Sequence, residues 1–391
     1  MRCAPEALAA ALADLDSRSL RRTRRVNLTT ALSAASAAPL LNFCSNDYLG
    51  LAQHPKLAQA MAMAAQHYGA GSGASHLVCG HGPEHERLER ELADFVGRER
   101  ALLFSTGYMA NLGVVAALAE RHDLILQDRL NHASLLDAAR LSGANRLRYA
   151  HADATAAEAA RAGTIAAHAL FVTDGVFSMD GDLAPLPELA AAAARRQDWL
   201  IVDDAHGLGV VGASGRGSCE HFGLTTTAVP VLIGTLGKAL GSFGAFVAGS
   251  RDLIDFLMQR ARTYIYTTAL PQPVAAATRA ALQVLREEPW RRTRVHELTA
   301  RFRANAARRG IALLASSTPI QPIVIGDAPG ALRVSEQLRA AGFWVTAIRP
   351  PTVPEGTARL RVTLSAAHRD EDVDALTTAL ASALDGEAAN Q

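Results

Sequence analysis

The sequence predicts an α/β protein: a mostly parallel central sheet covered by helices on both faces, with a smaller α+β unit after it and a short arm before it. Three observations carry this. Between residues 100 and 233, short apolar runs alternate with helix-period patterns, the rhythm of repeated βα units. Beyond residue 320 the rhythm changes, and the strands and helices read as an α+β unit with antiparallel pairing. Apolar residues make up 49% of the 391, and charged ones 20%, enough to bury a large core. The expected division is an N-terminal helical arm over 1–45, a large α/β domain over 46–280 and a small α+β domain over 281–391.

Taken in order, residues 1–25 read as an Ala/Leu helix followed by the basic cluster Arg21-Arg22-Thr23-Arg24-Arg25. Glu6, Asp14 and Asp16 count against a transit peptide. A short strand at 41–44 runs into the polar turn Ser45-Asn46-Asp47-Tyr48-Leu49-Gly50. A helix is predicted over 56–68, then the loop Gly69-Ala70-Gly71-Ser72-Gly73-Ala74-Ser75, then an amphipathic helix over 83–96 with Leu88, Leu92 and Phe95 on one face. His81 and His85 stand four apart beside Glu86, but Gly82-Pro83 interrupts the helix that would align them, so no metal site is expected.

The βα series follows. Strands are predicted at 101–104, 124–127, 169–173, 199–202 and 229–233, with helical patterns at 111–118, 132–141 and 186–196 between them. The C-terminal unit reads as strands at 320–325, 344–348 and 360–364 with helices at 332–341 and 370–384. In open parallel sheets ligands bind beyond the carboxyl ends of the strands, so the chemistry is expected there.

A formal net charge of +1 leaves no electrostatic footprint for nucleic acid or an anionic membrane surface. Cys3, Cys44, Cys79 and Cys219 are scattered, which argues against a zinc site or a disulfide framework and for a reducing, cytoplasmic setting. No apolar run reaches the length of a membrane span.

The predicted strand at 229–233 ends in Gly234-Thr235-Leu236-Gly237-Lys238-Ala239-Leu240-Gly241-Ser242-Phe243-Gly244, one lysine among four glycines. Glycine lets the backbone approach a ligand closely. A lysine partly stripped of water there favours its neutral amine, which forms an imine with an aldehyde, and the biological aldehyde for this task is pyridoxal phosphate (PLP). The strand at 199–202 runs into Asp203-Asp204-Ala205-His206, and a carboxylate at that point can keep a pyridinium nitrogen protonated. Gly207-Leu208-Gly209-Val210-Val211-Gly212 matches a dinucleotide fingerprint formally. It leads into Ala213-Ser214-Gly215, a loop pattern, where that fingerprint requires a helix. Phe104-Ser105-Thr106-Gly107-Tyr108 is a strand, a tight turn and a helix start, a place where backbone N–H groups attract phosphate. Asn131-His132-Ala133-Ser134 opens another helix, and His132 can stack on a flat ring or simply cap.

In that order, these motifs resemble the fold-type I PLP enzymes, and within them the α-oxoamine synthases, over residues 20–368. The Ser45–Gly50 turn, Thr173-Asp174-Gly175-Val176-Phe177-Ser178-Met179-Asp180-Gly181-Asp182 and Val202-Asp203-Asp204-Ala205-His206-Gly207 resemble family motifs. Arg349-Pro350-Pro351-Thr352-Val353-Pro354 and the Arg359–His368 segment resemble the biotin-pathway branch. The resemblance implies PLP as cofactor, a homodimer, and condensation of L-alanine with a pimeloyl thioester. A glycine-using relative of the same family and a non-catalytic module that kept the fold are the alternatives. It further implies that Lys238 holds the cofactor and moves protons, Asp203 pairs with the ring nitrogen, His206 with the phenolic oxygen, and His132 stacks on the ring. Gly107, Tyr108 and Thr235 would hold phosphate, with Thr267 approaching from the neighbouring copy, and Ser178 would lie beside the cofactor oxygen. Arg361 would grip the amino-acid carboxylate, with Arg21, Arg349 and Thr352 on the substrate side. His76 stands where many relatives carry arginine.

Overall fold

Strand termini set the architecture, and they are seen in a computed structural model that describes residues 5–24 and 40–388. Cys3, Arg25 and the parts of the expected arm at 1–4 and 25–39 lie outside the described residues. The chain divides into two compact units. The larger comprises Asp47–Ser178 and Asp182–Thr293, and the smaller Met1–Asn46, Met179–Gly181 and Arg294–Gln391.

The larger unit holds a seven-stranded sheet of β1 (Arg100–Phe104), β2 (Leu124–Asp128), β3 (Asn145–Tyr149), β4 (Ala169–Asp174), β5 (Trp199–Asp203), β6 (Val231–Thr235) and β7 (Ala245–Gly249). Their spatial order is β1-β7-β6-β5-β4-β2-β3. The run from β3 to β6 is parallel, and β7 is antiparallel to both β6 and β1. A parallel crossover needs a dozen or more residues. The link from Thr235 to Ala245 is shorter than that, so β7 must turn back, and it does so through the lysine segment.

The longer helices of this unit are α1 (Pro55–Tyr68), α2 (Pro83–Val96), α3 (Gly107–Leu118), α4 (Ala133–Ser142), α5 (Ala154–Ala162), α6 (Leu186–Ala194), α7 (Arg251–Arg260) and α8 (Gln272–Glu287). Side-chain alternation divides the core between the two sheet faces. Ile125, Val172, Ile201 and Ile233 pack with Val114 of α3, Leu135 of α4 and Leu257 of α7. Leu124, Leu126, Phe171, Leu200 and Leu232 pack on the other face with Leu186 and Leu189 of α6 and Ala157 of α5. With both faces covered, the central strands are apolar until their carboxyl ends, where Asp128, Asp174 and Asp203 stand, the pattern of a buried parallel sheet.

The smaller unit contains β8 (Ile320–Gly326), β9 (Thr346–Ile348) and β10 (Ala358–Thr363), an antiparallel sheet with β10 in the centre. Leu41–Asn42 pairs in parallel with Phe343–Trp344. Helices run over Pro5–Ser17, Ala328–Ala340 and Asp370–Ala388, and the helix Trp290–Arg308 belongs to this unit from Arg294 on. Among the described residues, no helix is long and apolar enough to cross a membrane.

Candidate active site

Within the larger unit, β4 and β5 end side by side, with Asp174 and Asp203 in register. Both carboxylates are buried. Asp203 Oδ1 accepts the Ala205 N–H at 3.0 Å, and Oδ2 accepts Asn111 Nδ2 at 2.6 Å. Asn111 projects from α3, a helix otherwise built almost wholly of apolar residues, and its Nδ2 also donates to Ser134 Oγ at 2.7 Å. Asp174 Oδ2 accepts the His132 N–H at 2.7 Å, while the Asp174 N–H donates to Asn131 Oδ1 at 3.2 Å. Burial, and then the charge of Asp203, raise the Asp174 carboxyl well above the usual carboxylate range. A cation between these strand ends would relieve that repulsion.

His132 is the N-cap of α4, so the capping role is real. Its Nδ1 lies 2.6 Å from Ser134 Oγ while the residue stays exposed. Desolvation holds the imidazole below its ordinary range, Asp203 opposes the shift, and the Lys238 charge adds to it. His206, buried just past β5, lies with Nδ1 2.7 Å from the Tyr48 hydroxyl.

Lys238 sits half-buried on the turn between β6 and β7. The turn is closed by Leu236 N–H to Gly244 O at 2.9 Å and Gly241 N–H to Lys238 O at 2.8 Å. Gly241 has φ 61°, and a Cβ there would come within 2.3 Å of the Ala52 nitrogen, so only glycine fits. The Lys238 charge lowers the Asp174, Asp204 and His132 titrations, so its field reaches the strand-end carboxylates. Thr235 Oγ1 donates to Gly244 O at 3.1 Å.

Helix α3 starts at Gly107, within the turn read as a helix start, so the N–H groups of Gly107 and Tyr108 fall in its first turn, beyond the reach of intrahelical carbonyls. Thr106 caps it by accepting the Met109 N–H at 3.1 Å. A Cβ on Gly107 would meet nothing within 4 Å, which leaves open space in front of these amides. The Tyr108 hydroxyl is turned to Asp137 Oδ2 at 2.5 Å. Ser178 lies half-buried in the turn after β4. Thr267 precedes Thr268, which bridges to Ser75, and the Ala269 N–H donates to Ala74 O at 2.9 Å. The Thr267 stretch is thus laced to the glycine-rich loop.

The other predicted residues belong to the smaller unit. Arg361, buried in β10, donates through Nη1 to Asn46 Oδ1 at 3.1 Å. Arg349 donates to the carbonyls of Ser19 and Arg21, and Arg22 Nη2 donates to Thr352 Oγ1 at 3.1 Å. A cavity of about 350 Å³ is lined by Leu20, Arg22, Arg349 and Thr352 among others. Arg21 itself pairs with Asp16 at 2.7 Å.

Sequence reasoning missed Asn111, Asp174, Asn131 and Ser134. A lone asparagine in an apolar helix and a second strand-terminal aspartate were the available signals. It also kept apart three histidines that the fold joins. A single π-turn over His76–Gly80 sets His76 Nδ1 2.9 Å from His81 Nδ1, with the His85 ring 5.0 Å from that of His76. His85 Nδ1 accepts the Gly82 N–H at 2.9 Å and Nε2 donates to Leu270 O, so both of its ring nitrogens are engaged in hydrogen bonds. Burial, then His85 and His81, push His76 down to about 3, so it is neutral.

The donor set of the larger unit fits PLP: open-faced helix amides for a phosphate, a buried carboxylate for a pyridinium, an imidazole beside it and one amine among them. Fold and site together define a PLP-dependent transferase of fold type I. The model of the family described as aminotransferase class I and II matches residues 38–380. The 8-amino-7-oxononanoate synthase of Methylococcus capsulatus is 61% identical over 382 residues, covering 97% of this chain and 99% of its own length. Among solved structures, the 8-amino-7-oxononanoate synthase of Francisella tularensis is 30% identical with a TM-score of 0.79, covering 89% of this chain and 99% of that one. A serine palmitoyltransferase variant from S. paucimobilis with a bound PLP–myriocin aldimine is 28% identical with a TM-score of 0.86, covering 90% and 88%. The chain belongs to the 8-amino-7-oxononanoate synthase family, PLP-dependent acyltransferases of biotin biosynthesis.

Proposed function

We propose that the chain condenses L-alanine with a pimeloyl thioester to give 8-amino-7-oxononanoate, carbon dioxide and the free thiol. The single observation that carries the chemistry is the buried Asp203 carboxylate, fixed by Asn111 at 2.6 Å, in an electrostatic neighbourhood that includes Lys238. PLP bound here supplies an electron sink for a carbanion at the amino-acid Cα.

The chain's own residues do the rest. Lys238 attaches the cofactor through its amine, then takes the Cα proton and returns one to the product. Asp203 keeps the ring nitrogen protonated. His132 lies against the ring, and His206, held by Tyr48, and Ser178 serve the phenolic oxygen. Gly107 and Tyr108 give backbone N–H groups to the phosphate, and Thr235 a hydroxyl. Arg361 binds the amino-acid carboxylate through its planar fork, and Arg21, Arg349 and Thr352 receive the anionic end of the acyl chain. Alanine is chosen on the name the relatives share, since alanine and glycine differ by a single methyl.

The working form in this reading is a homodimer, with Thr267 of each copy approaching the cofactor phosphate of the other. Exposed Leu77, Val78, Tyr266 and Phe243 near the glycine-rich loop and the lysine turn are apolar surface that a second copy would cover. Free thiols at Cys44, Cys79 and Cys219 suit the cytoplasm. Carboxyl-labelled L-alanine tests the reaction: label released as carbon dioxide should equal thiol released, with pimeloyl-CoA as donor. Thiol release without carbon dioxide would refute it. Light scattering at assay concentration should give twice the monomer mass, and a fully active monomer would refute the shared site.

A further inference from the structure

His151 has no part in the roles above, yet its imidazole is held by carboxylates on both sides. Nδ1 lies 3.0 Å from Asp128 Oδ1, and Nε2 lies 2.9 Å from Asp182 Oδ2. Two ionised carboxylates accept only, so both ring nitrogens donate and the ring is an imidazolium. Burial alone would lower its pKa. The hydrogen bonds and charges of Asp128 and Asp182 outweigh burial and push it up to about 10.

The two carboxylates belong to two different loops. Asp128 ends β2, is buried, and accepts the N–H groups of Leu130 and Ala152, each at 2.7 Å. Its carbonyl accepts the Asn131 N–H at 3.2 Å. Asp128 therefore shapes the turn that delivers Asn131 and His132. Ala152 has φ 51°, left-handed for a residue with a Cβ, and the bond to Asp128 holds it there. On the other side, the Asp182 carbonyl accepts the Phe177 N–H at 3.0 Å, and the Phe177 ring meets the His151 ring edge-on at 4.4 Å. Ser178 is the next residue.

We propose that His151 is a positioning residue: its imidazolium ties the turn carrying His132 to the turn carrying Ser178, and so fixes the spacing between the residue assigned to the cofactor ring and the one assigned to its phenolic oxygen. The inference rests on the reading of the site given above. Loss of His151 leaves two carboxylates without their shared donor and lets the turns move apart.

His151→Phe tests this, since it keeps an aromatic ring against Phe177 and removes both donors. The readouts are the PLP dissociation constant, the visible circular dichroism of bound PLP, and the melting temperature. Losing hydrogen bonds to charged groups should raise the dissociation constant by about tenfold or more, with changed visible dichroism. Asp182→Asn keeps an acceptor for Nε2, so it should show a smaller change, and adding it to His151→Phe should cost no further affinity. Should His151→Phe fail to fold, His151→Gln, which keeps one donor arm, carries the same measurements. A folded variant that melts lower but binds PLP with wild-type affinity and dichroism overturns the positioning role alone. A wild-type protein that does not bind PLP overturns the reading of the site beneath it.

Discussion

Asn111 donates to Asp203 Oδ2 at 2.6 Å from inside an apolar helix, and the same amide holds Ser134 at 2.7 Å. Its own Oδ1 is buried without a hydrogen-bond partner among the described residues. A buried amide left half-satisfied is unfavourable, and the gain is a carboxylate whose second oxygen is fixed in place. Asn111→Leu should therefore weaken PLP binding by roughly 10–100-fold, the range for a hydrogen bond to a charged group. Titration of the variant with PLP measures this, and unchanged affinity would contradict it.

Asp203→Asn keeps the shape and removes the charge. The ring nitrogen would then lose its reason to stay protonated, while the Gly107 and Tyr108 amides proposed for the phosphate are untouched. PLP should still bind, and turnover should fall on the order of 10²–10³-fold, as when a preorganised electrostatic partner is removed. Near wild-type turnover would show that another group pairs with the ring.

Glu89 on α2 is buried, accepts the Leu103 N–H at 2.9 Å, and has its pKa pushed up to about 8, chiefly by burial. The folded value lies above the ordinary 4.5. The stability that the neutral carboxyl contributes is thus fully present below pH 4.5, and it is lost as pH rises through about 8. Glu89→Gln keeps the acceptor and cannot ionise. Its melting temperature should match wild type near pH 4.5 and exceed it at about pH 9. Parallel melting curves across that range would contradict the assignment.

Arg161 and Asp198 form a bidentate pair at 2.6 and 3.2 Å, with side chains 4% and 0% exposed, and Asp198 also accepts the Ala169 N–H at 2.8 Å. Removing one partner leaves a buried charge. Arg161→Met should cost about 3–5 kcal/mol, and Asp198→Asn added to it should recover part of the loss. Denaturant unfolding of the two variants decides this.

Much of the fold and the chemical motifs were legible because they are local. An apolar strand ending in Asp203-Asp204-Ala205-His206, and a lysine among glycines after another, announce themselves by spacing. β3, Asn145–Tyr149, escaped because it is an edge strand with four exposed residues and alternating arginines. β7, Ala245–Gly249, escaped because it follows the glycine-rich lysine segment directly and its two alanines and one glycine carry little strand preference. Asn111 and the His76–His81–His85 trio were illegible for another reason: their partners are distant in sequence or joined by a π-turn that no periodicity predicts.

The central claim is that the Lys238 site joins alanine to a long acyl thioester. Thiol release measured for pimeloyl-CoA and acetyl-CoA, each crossed with L-alanine and glycine, tests it most directly. Burial of the longer methylene chain is worth about 0.8 kcal/mol per CH₂ where it is desolvated. The kcat/KM for L-alanine with pimeloyl-CoA should therefore exceed that of every other pairing by a wide margin. A preference for glycine with acetyl-CoA would contradict the account.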